Sequence, residues 1–135
     1  MADADPEADE AGSAEYVFAV ELQLSPSDPD VWLEPASVET TLHKRAPTPG
    51  EEGWLFFRDN LWRGEVNDHD HLRELAEETL GVEVRSIEFR ELRTDDDYYE
   101  ALRLEIDENL ELFKADDTPE VVTKYLGSRV HVREP

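Results

Sequence analysis

Residues 15–24, EYVFAVELQL, alternate without a break, with Tyr16, Phe18, Val20, Leu22 and Leu24 on one side. A period of two over this length marks a strand with one buried face. Such a strand needs neighbours in a sheet and a layer of other elements to cover it. The Ser-, Pro- and Asp-rich run 25–30 turns the chain. Residues 37–46, with Val38, Thr40 and Thr41, read as a second strand, and PTPGEEG (47–53) as a loop. Residues 53–58 read as a third strand, so that 38–58 forms a hairpin with a long loop. Asp59 and Asn60 interrupt the pattern before LWRGEV (61–66).

The period then changes. In residues 69–80 Leu72, Leu75, Ala76, Thr79 and Leu80 share one helical face, Asn67 or Asp68 can cap the start, and Gly81 ends it. VEVRSIEFREL (82–92) returns to strand, and its apolar phase slips between Val84 and Ile87, which predicts a bulge. Residues 95–113 fit two periods: Leu102, Leu104 and Ile106 alternate, but Tyr98, Tyr99, Leu102, Ile106, Leu110 and Phe113 form a single stripe on a helical wheel. Thr94 before three aspartates supplies an N-cap with acids at the positive helix end, which favours helix. Thr118-Pro119-Glu120 opens a helix running to about Leu126 with a stop at Gly127, and SRVHVR (128–133) is a last strand. Helix, Leu-Gly stop and short strand thus occur twice, at 80–85 and 126–133, as the shared physics of a helix-to-strand turn predicts. The order β-β-β-α-β-α-α-β predicts an α+β fold, a mainly antiparallel sheet of about five strands with two to three helices on one face.

Composition decides the setting. The 135 residues hold 35 Asp and Glu against 13 Lys and Arg, a net charge of −22. The N-terminal run MADADPEADEAGSAE has no basic or apolar region of a secretory signal, and no apolar run suffices to span a membrane. Residues 1–14 are expected to be a disordered acidic tail and 15–135 a single domain, since the aromatic and aliphatic residues concentrate in periodic blocks after Glu15. Cysteine is absent, which excludes disulfides and thiolate metal sites. Lysine occurs only at positions 44, 114 and 124, the other ten basic residues being arginine. A Lys-poor, acid-rich folded chain points to molar intracellular salt, where at ~1 M the Debye length is ~3 Å and neighbouring carboxylates scarcely interact. The competing reading is an acidic protein of an ordinary cell, such as a nucleic-acid mimic.

The segment GWLFFRDNLWRGEV (53–66) stands out, with Trp54 and Trp62, two phenylalanines and two arginines. Leu61-Trp62-Arg63 within it resembles the tripeptide of the LWR-salt proteins of halophilic archaea, and the length and acidic composition agree with that family. The resemblance implies a haloarchaeal, cytoplasmic protein; it implies no reaction. If 53–58 is a strand, Trp54 and Phe56 lie on one face and Leu55 and Phe57 on the other. Arg63 can stack on Trp62, and Arg58 and Arg63 make a local positive spot suited to an anionic ligand or an acidic partner. The alternative is that the aromatics are core and the arginines pair with Asp59 or Glu65.

Other constellations carry less. His69 and His71 could share a metal in an extended chain but diverge in a helix, and Asp68 and Asp70 are explained as capping acids. His43-Lys44-Arg45 can pair with acids on a neighbouring strand and is too small a patch for nucleic acid at this net charge. His131 belongs to the polar face of the last strand. No glycine-rich phosphate loop or nucleophile motif occurs. The expected function is therefore association with a protein partner, a second copy or a small anionic ligand through Trp54, Phe57, Arg58, Trp62 and Arg63. No cofactor, nucleic acid or membrane is expected. The alternative is a small enzyme with Arg58 and Arg63 binding an anionic substrate and His69 or His71 moving a proton. The charge makes one prediction by itself: melting temperature rises between ~0.2 and ~3 M KCl as screening relieves repulsion among the acids. A thermal-melt series indifferent to salt refutes it.

Overall fold

The structure, a computed structural model, describes residues 12–133. Most of the expected acidic tail lies outside the described residues. Of its last three positions, Ser13 exchanges backbone contacts with Asp95, its N–H donating to the carboxylate at 2.9 Å and its C=O accepting from Asp95 N–H, and Ala14 begins the first strand.

The elements are β1 (Ala14–Gln23), β2 (Ser37–Arg45), α1 (Phe56–Asn60), β3 (Leu61–Trp62), β4 (Glu65–Val66), α2 (His69–Leu80), β5 (Glu83–Thr94), α3 (Asp96–Asp107), a single 3-10 turn at Leu110–Leu112, α4 (Thr118–Leu126) and β6 (Val130–Val132). The fold is α+β. Four strands form one sheet in the order β2-β1-β5-β6, and β3 and β4 pair separately as a two-residue ladder. The first three strands are antiparallel and β6 joins the edge parallel to β5.

The alternation in β1 does what it promised. Tyr16, Phe18 and Val20 are buried, and they share one core with residues from all four helices: Phe57 of α1, Leu72 and Ala76 of α2, Leu102 and Ile106 of α3, Val121 and Leu126 of α4. The other face of the sheet carries Glu15, Glu21, Glu39 and Glu88 together with the buried Val17, and among the described residues no helix contributes to the packing there. The slip between Val84 and Ile87 is a bulge: Leu22 pairs with Val84 and Glu21 with Ser86, leaving Arg85 unopposed. A second bulge leaves Arg90 out between Phe89 and Glu91. Each extra residue resets the strand so that Val84, Ile87, Phe89 and Leu92 all reach the core side.

Caps follow the local chemistry. Asp68 accepts from His71 N–H at 3.1 Å and Asp117 from Glu120 N–H at 2.9 Å. At α3 the cap is Asp95, bonded to Tyr98 N–H at 2.8 Å, and not Thr94. Thr94 is buried as the last residue of β5 and its hydroxyl donates to Asp95 C=O. The helix expected over 95–113 stops at Asp107. Asn109 bonds back to Glu105 C=O at 2.9 Å, and the 3-10 turn then drops Phe113 into the core at 0% exposure.

The expected third strand is corrected. Residues 51–55 form turns and 56–60 form α1, and the partner of β2 is β1, not 53–58. Trp54, Phe57 and Leu61 are the buried residues. Their spacing of three and four is helical, and a strand would have sent Trp54 and Phe57 to opposite faces. The sheet accordingly has four strands, not five.

The two Leu-Gly stops differ in a way the sequence does not show. Gly81 sits at φ 73°, ψ 22°, the ordinary left-handed cap, with open space where a Cβ would go. Gly127 sits at φ 62°, ψ −137°, and a Cβ there would fall 3.0 Å from the Arg63 carbonyl oxygen and 3.2 Å from Gly64 N. Gly81→Ala should cost about 1 kcal/mol, the left-handed penalty alone. Gly127→Ala adds a backbone clash to a conformation only glycine adopts readily, and should cost about 3 kcal/mol or more. Chemical denaturation of the two variants checks the order, and equal losses would refute the close approach at Gly127.

Candidate functional site

The segment singled out by its aromatics and arginines divides into a buried half and an exposed half. Trp54 and Phe57 are 8% and 1% exposed. They pack in an aromatic cluster with Phe113, the Phe57 and Phe113 rings stacked 5.7 Å apart at 17° and the Trp54 ring 6.0 Å from Phe113. Each such pair stabilises by ~0.5–1.5 kcal/mol beyond the area it buries. These two side chains therefore hold α1 against the core, Phe57 wholly enclosed and only an edge of Trp54 reaching a surface cleft. Arg58 of α1 lies along Asp59, its Nε and Nη2 both 2.9 Å from one carboxylate oxygen, and its Nη1 reaches the Leu112 carbonyl at 3.4 Å.

The exposed half begins after Leu61, which is fully buried. Arg63 and Gly64 both have positive φ, 56° and 83°, the pattern of the tight turn that suits a two-residue hairpin. The turn faces the end of α4. Arg63 N–H donates to Lys124 C=O at 2.8 Å and Gly64 N–H to Tyr125 C=O at 3.0 Å, so the turn satisfies two of the carbonyls that a helix end leaves open. Gly64 and Gly127 lie back to back, which permits this approach.

Above the turn, Trp62 is 44% exposed. Its ring meets Tyr125 edge-on at 5.9 Å, and the Arg63 guanidinium lies 5.6 Å from the Trp62 ring centre. Lys124 lies over Tyr125 at 5.7 Å and donates to the Phe113 carbonyl at 2.8 Å. The Arg129 side chain crosses Gly64, its Cγ and Cδ both 3.3 Å from where a Gly64 Cβ would stand. Arg63 and Lys124 thus each lie over one ring of an aromatic pair, while the Arg129 guanidinium donates to the Arg90 carbonyl at 3.4 Å. Glu65 stands across the two-residue ladder from Trp62.

The histidines named as metal or proton-transfer candidates are not brought to this place. His69 Nε2 stands 3.7 Å from Glu88 on β5, and His71 contributes its backbone to the α2 cap. Among the described residues no group of three or more His, Cys, Asp and Glu side chains could hold a metal ion. The clefts between α3 and α4, beside the 50–56 loop and between β2 and α2 are lined by none of Arg58, Arg63, His69 and His71. Tyr98, whose hydroxyl donates to Pro47 C=O at 2.6 Å, is pushed well above the usual tyrosine range by burial; it is a structural hydroxyl.

One constellation is absent from the sequence reading as a unit. Across the open sheet face, His43 of β2 stands 3.3 Å from Glu15 of β1, and Glu15 is 3.7 Å from Arg93 of β5. Arg93 bonds Glu91 at 2.6 Å, and Glu91 also bonds His131 of β6. The His131 hydrogen bond, with Arg93 beside it, holds the Glu91 carboxyl below the usual carboxylate range against partial desolvation. Alternation places His43 and His131 on polar faces, as expected. Joining them needs the strand order, which no local pattern carries.

No helix is long and apolar enough to cross a membrane, among the described residues. No curated protein and no solved structure matches the chain. The family model described as LWR-salt protein matches residues 12–135, a span that includes the Leu61-Trp62-Arg63 turn and the helix end on which it rests, and the chain belongs to the LWR-salt protein family.

Proposed function

We propose that this protein is a non-catalytic association module of a salt-rich cytoplasm, and that its Trp62 face takes an acidic stretch of a protein partner. The observation that supports this reading is the charge around Trp62. In a chain of net charge −22, Arg63 lies over one half-exposed tryptophan and Lys124 over its neighbour Tyr125. An aromatic platform flanked by arginine is the usual composition of an interface anchor. Arginine forms short bidentate bonds to carboxylates, which keep their value when salt has screened longer-range attraction. The acid-rich, Lys-poor composition is the reason for placing the protein in concentrated salt, since there the rest of its surface does not repel an acidic partner.

The segment expected to act as a whole, Trp54 to Arg63, is thereby narrowed to its second half. Trp54 and Phe57 support the face from the core, and Arg58 is committed to Asp59. An oligoglutamate peptide titrated into the protein at ~0.5 and ~3 M KCl, followed by tryptophan fluorescence in a Trp32→Phe background, tests the reading. Saturable quenching is expected. Arg63→Ser, which keeps the Trp62 reporter, should raise the Kd about tenfold or more, the ordinary cost of losing such an anchor, with the thermal melt little changed. No response of the parent protein at either salt would sink the proposal.

A further inference from the structure

The outer edge of β2 leaves a nine-residue strand without a neighbour on one side, among the described residues. Leu24 N–H donates to Ala36 C=O at 2.7 Å and Ala46 N–H to Ala14 C=O at 2.9 Å, extending the β1–β2 ladder at both ends in register. In an antiparallel pair the inward-bonding residues alternate with outward-facing ones. The even residues of β2 therefore turn their N–H and C=O to β1, and Ser37, Glu39, Thr41 and His43 turn theirs outward. Among the described residues no strand and no backbone hydrogen bond covers that edge. β2 runs nine residues with no proline or bulge to break it; its charges, Glu39, Lys44 and Arg45, are the devices that bar indiscriminate pairing at such an edge.

We infer that β2 pairs antiparallel with β2 of a second copy about a two-fold axis at Thr41, joining two four-stranded sheets into one of eight. The charge along the strand selects this partner. Glu39 and His43 stand the same distance on either side of Thr41. A two-fold axis there sets each Glu39 opposite His43 of the partner subunit, twice over, and uses only outward-facing backbone groups. Glu39 has the like charge of Glu21 directly across the ladder on β1 and, among the described residues, no ion-pair partner; the imidazole of the second copy, which within its own chain stands 3.3 Å from Glu15, is shared with it.

A second observation agrees. The loop before β2 carries Val31, Trp32 and Leu33 at 50%, 73% and 44% exposure. At the other end of β2 opens a cleft with Pro47, Trp54, Leu55 and Phe56 in its wall and Lys44, Glu51, Glu52 and Asp59 also lining it. Antiparallel pairing brings the loop of one copy to the same end as the cleft of the other, so each dimer has two places where a lone apolar loop gains cover.

Sedimentation of the full chain at ~3 M KCl, with protein up to ~100 μM, reads the outcome. A dimer is expected. Thr41→Pro removes the central outward donor without touching the β1 ladder and should give a folded monomer. Glu39→Lys and His43→Glu each set like charges or an unmatched cation at two symmetric places and should raise the dimer Kd about tenfold or more. Mixed, they restore complementary pairs and should form a heterodimer. Trp32→Ala should weaken the dimer, and Trp62→Ala should leave it unchanged, so this inference and the proposed function fail separately. A monomeric parent overturns the inference. So does a dimer indifferent to both charge variants, and the mixing experiment decides even if Thr41→Pro does not fold.

Discussion

Among the described residues helices cover one face of the sheet, and the rest of the structure answers to that. β1 and β5 send most of their large apolar side chains to that face, Val17 of β1 being buried on the other among the side chains of neighbouring strands. β1 otherwise achieves this by alternation. β5 is twelve residues long and achieves it by two bulges, at Arg85 and Arg90. Each inserts one residue, keeps the next apolar side chain on the core side and leaves an arginine unopposed. The same sidedness leaves a free outer face, where acids and bases from four strands form the line His43, Glu15, Arg93, Glu91 and His131.

What could be read from residues alone follows from which interactions are local. The β1 alternation, the α2 stripe, the Asp68 cap and the Gly81 stop each depend on residues within a few positions of one another, and each is legible. The bulge in β5 is legible too, because a phase slip between Val84 and Ile87 is written in one strand. The segment 53–58 was open to misreading because Trp54-Leu55-Phe56-Phe57 is apolar at every position, so neither period shows. Only the wider spacing Trp54, Phe57, Leu61 reveals the helix. The end of α3 was hidden for a related reason: the stripe through Phe113 continues, but it is carried past Asp107 by a 3-10 turn.

The candidate site was half legible. The sequence marks Trp62 and Arg63 as unusual neighbours, and they do stack. It gives no means of learning that Lys124 and Tyr125, some sixty residues on, come to the same place, since that depends on α4 ending against the β3–β4 turn. Nor does it separate Trp54 from Trp62: two tryptophans eight residues apart, one a buried brace and the other a surface plate.

The docking of that turn bears on why an arginine stands at position 63. The turn grips α4 through main-chain N–H groups of Arg63 and Gly64, not through side chains. Asparagine or glycine would adopt a φ of 56° at less cost, roughly 1 kcal/mol less for glycine. Backbone geometry by itself thus disfavours arginine there. The guanidinium is an added expense of the fold, and what it returns must be sought in what it does outside the turn, over the face of Trp62.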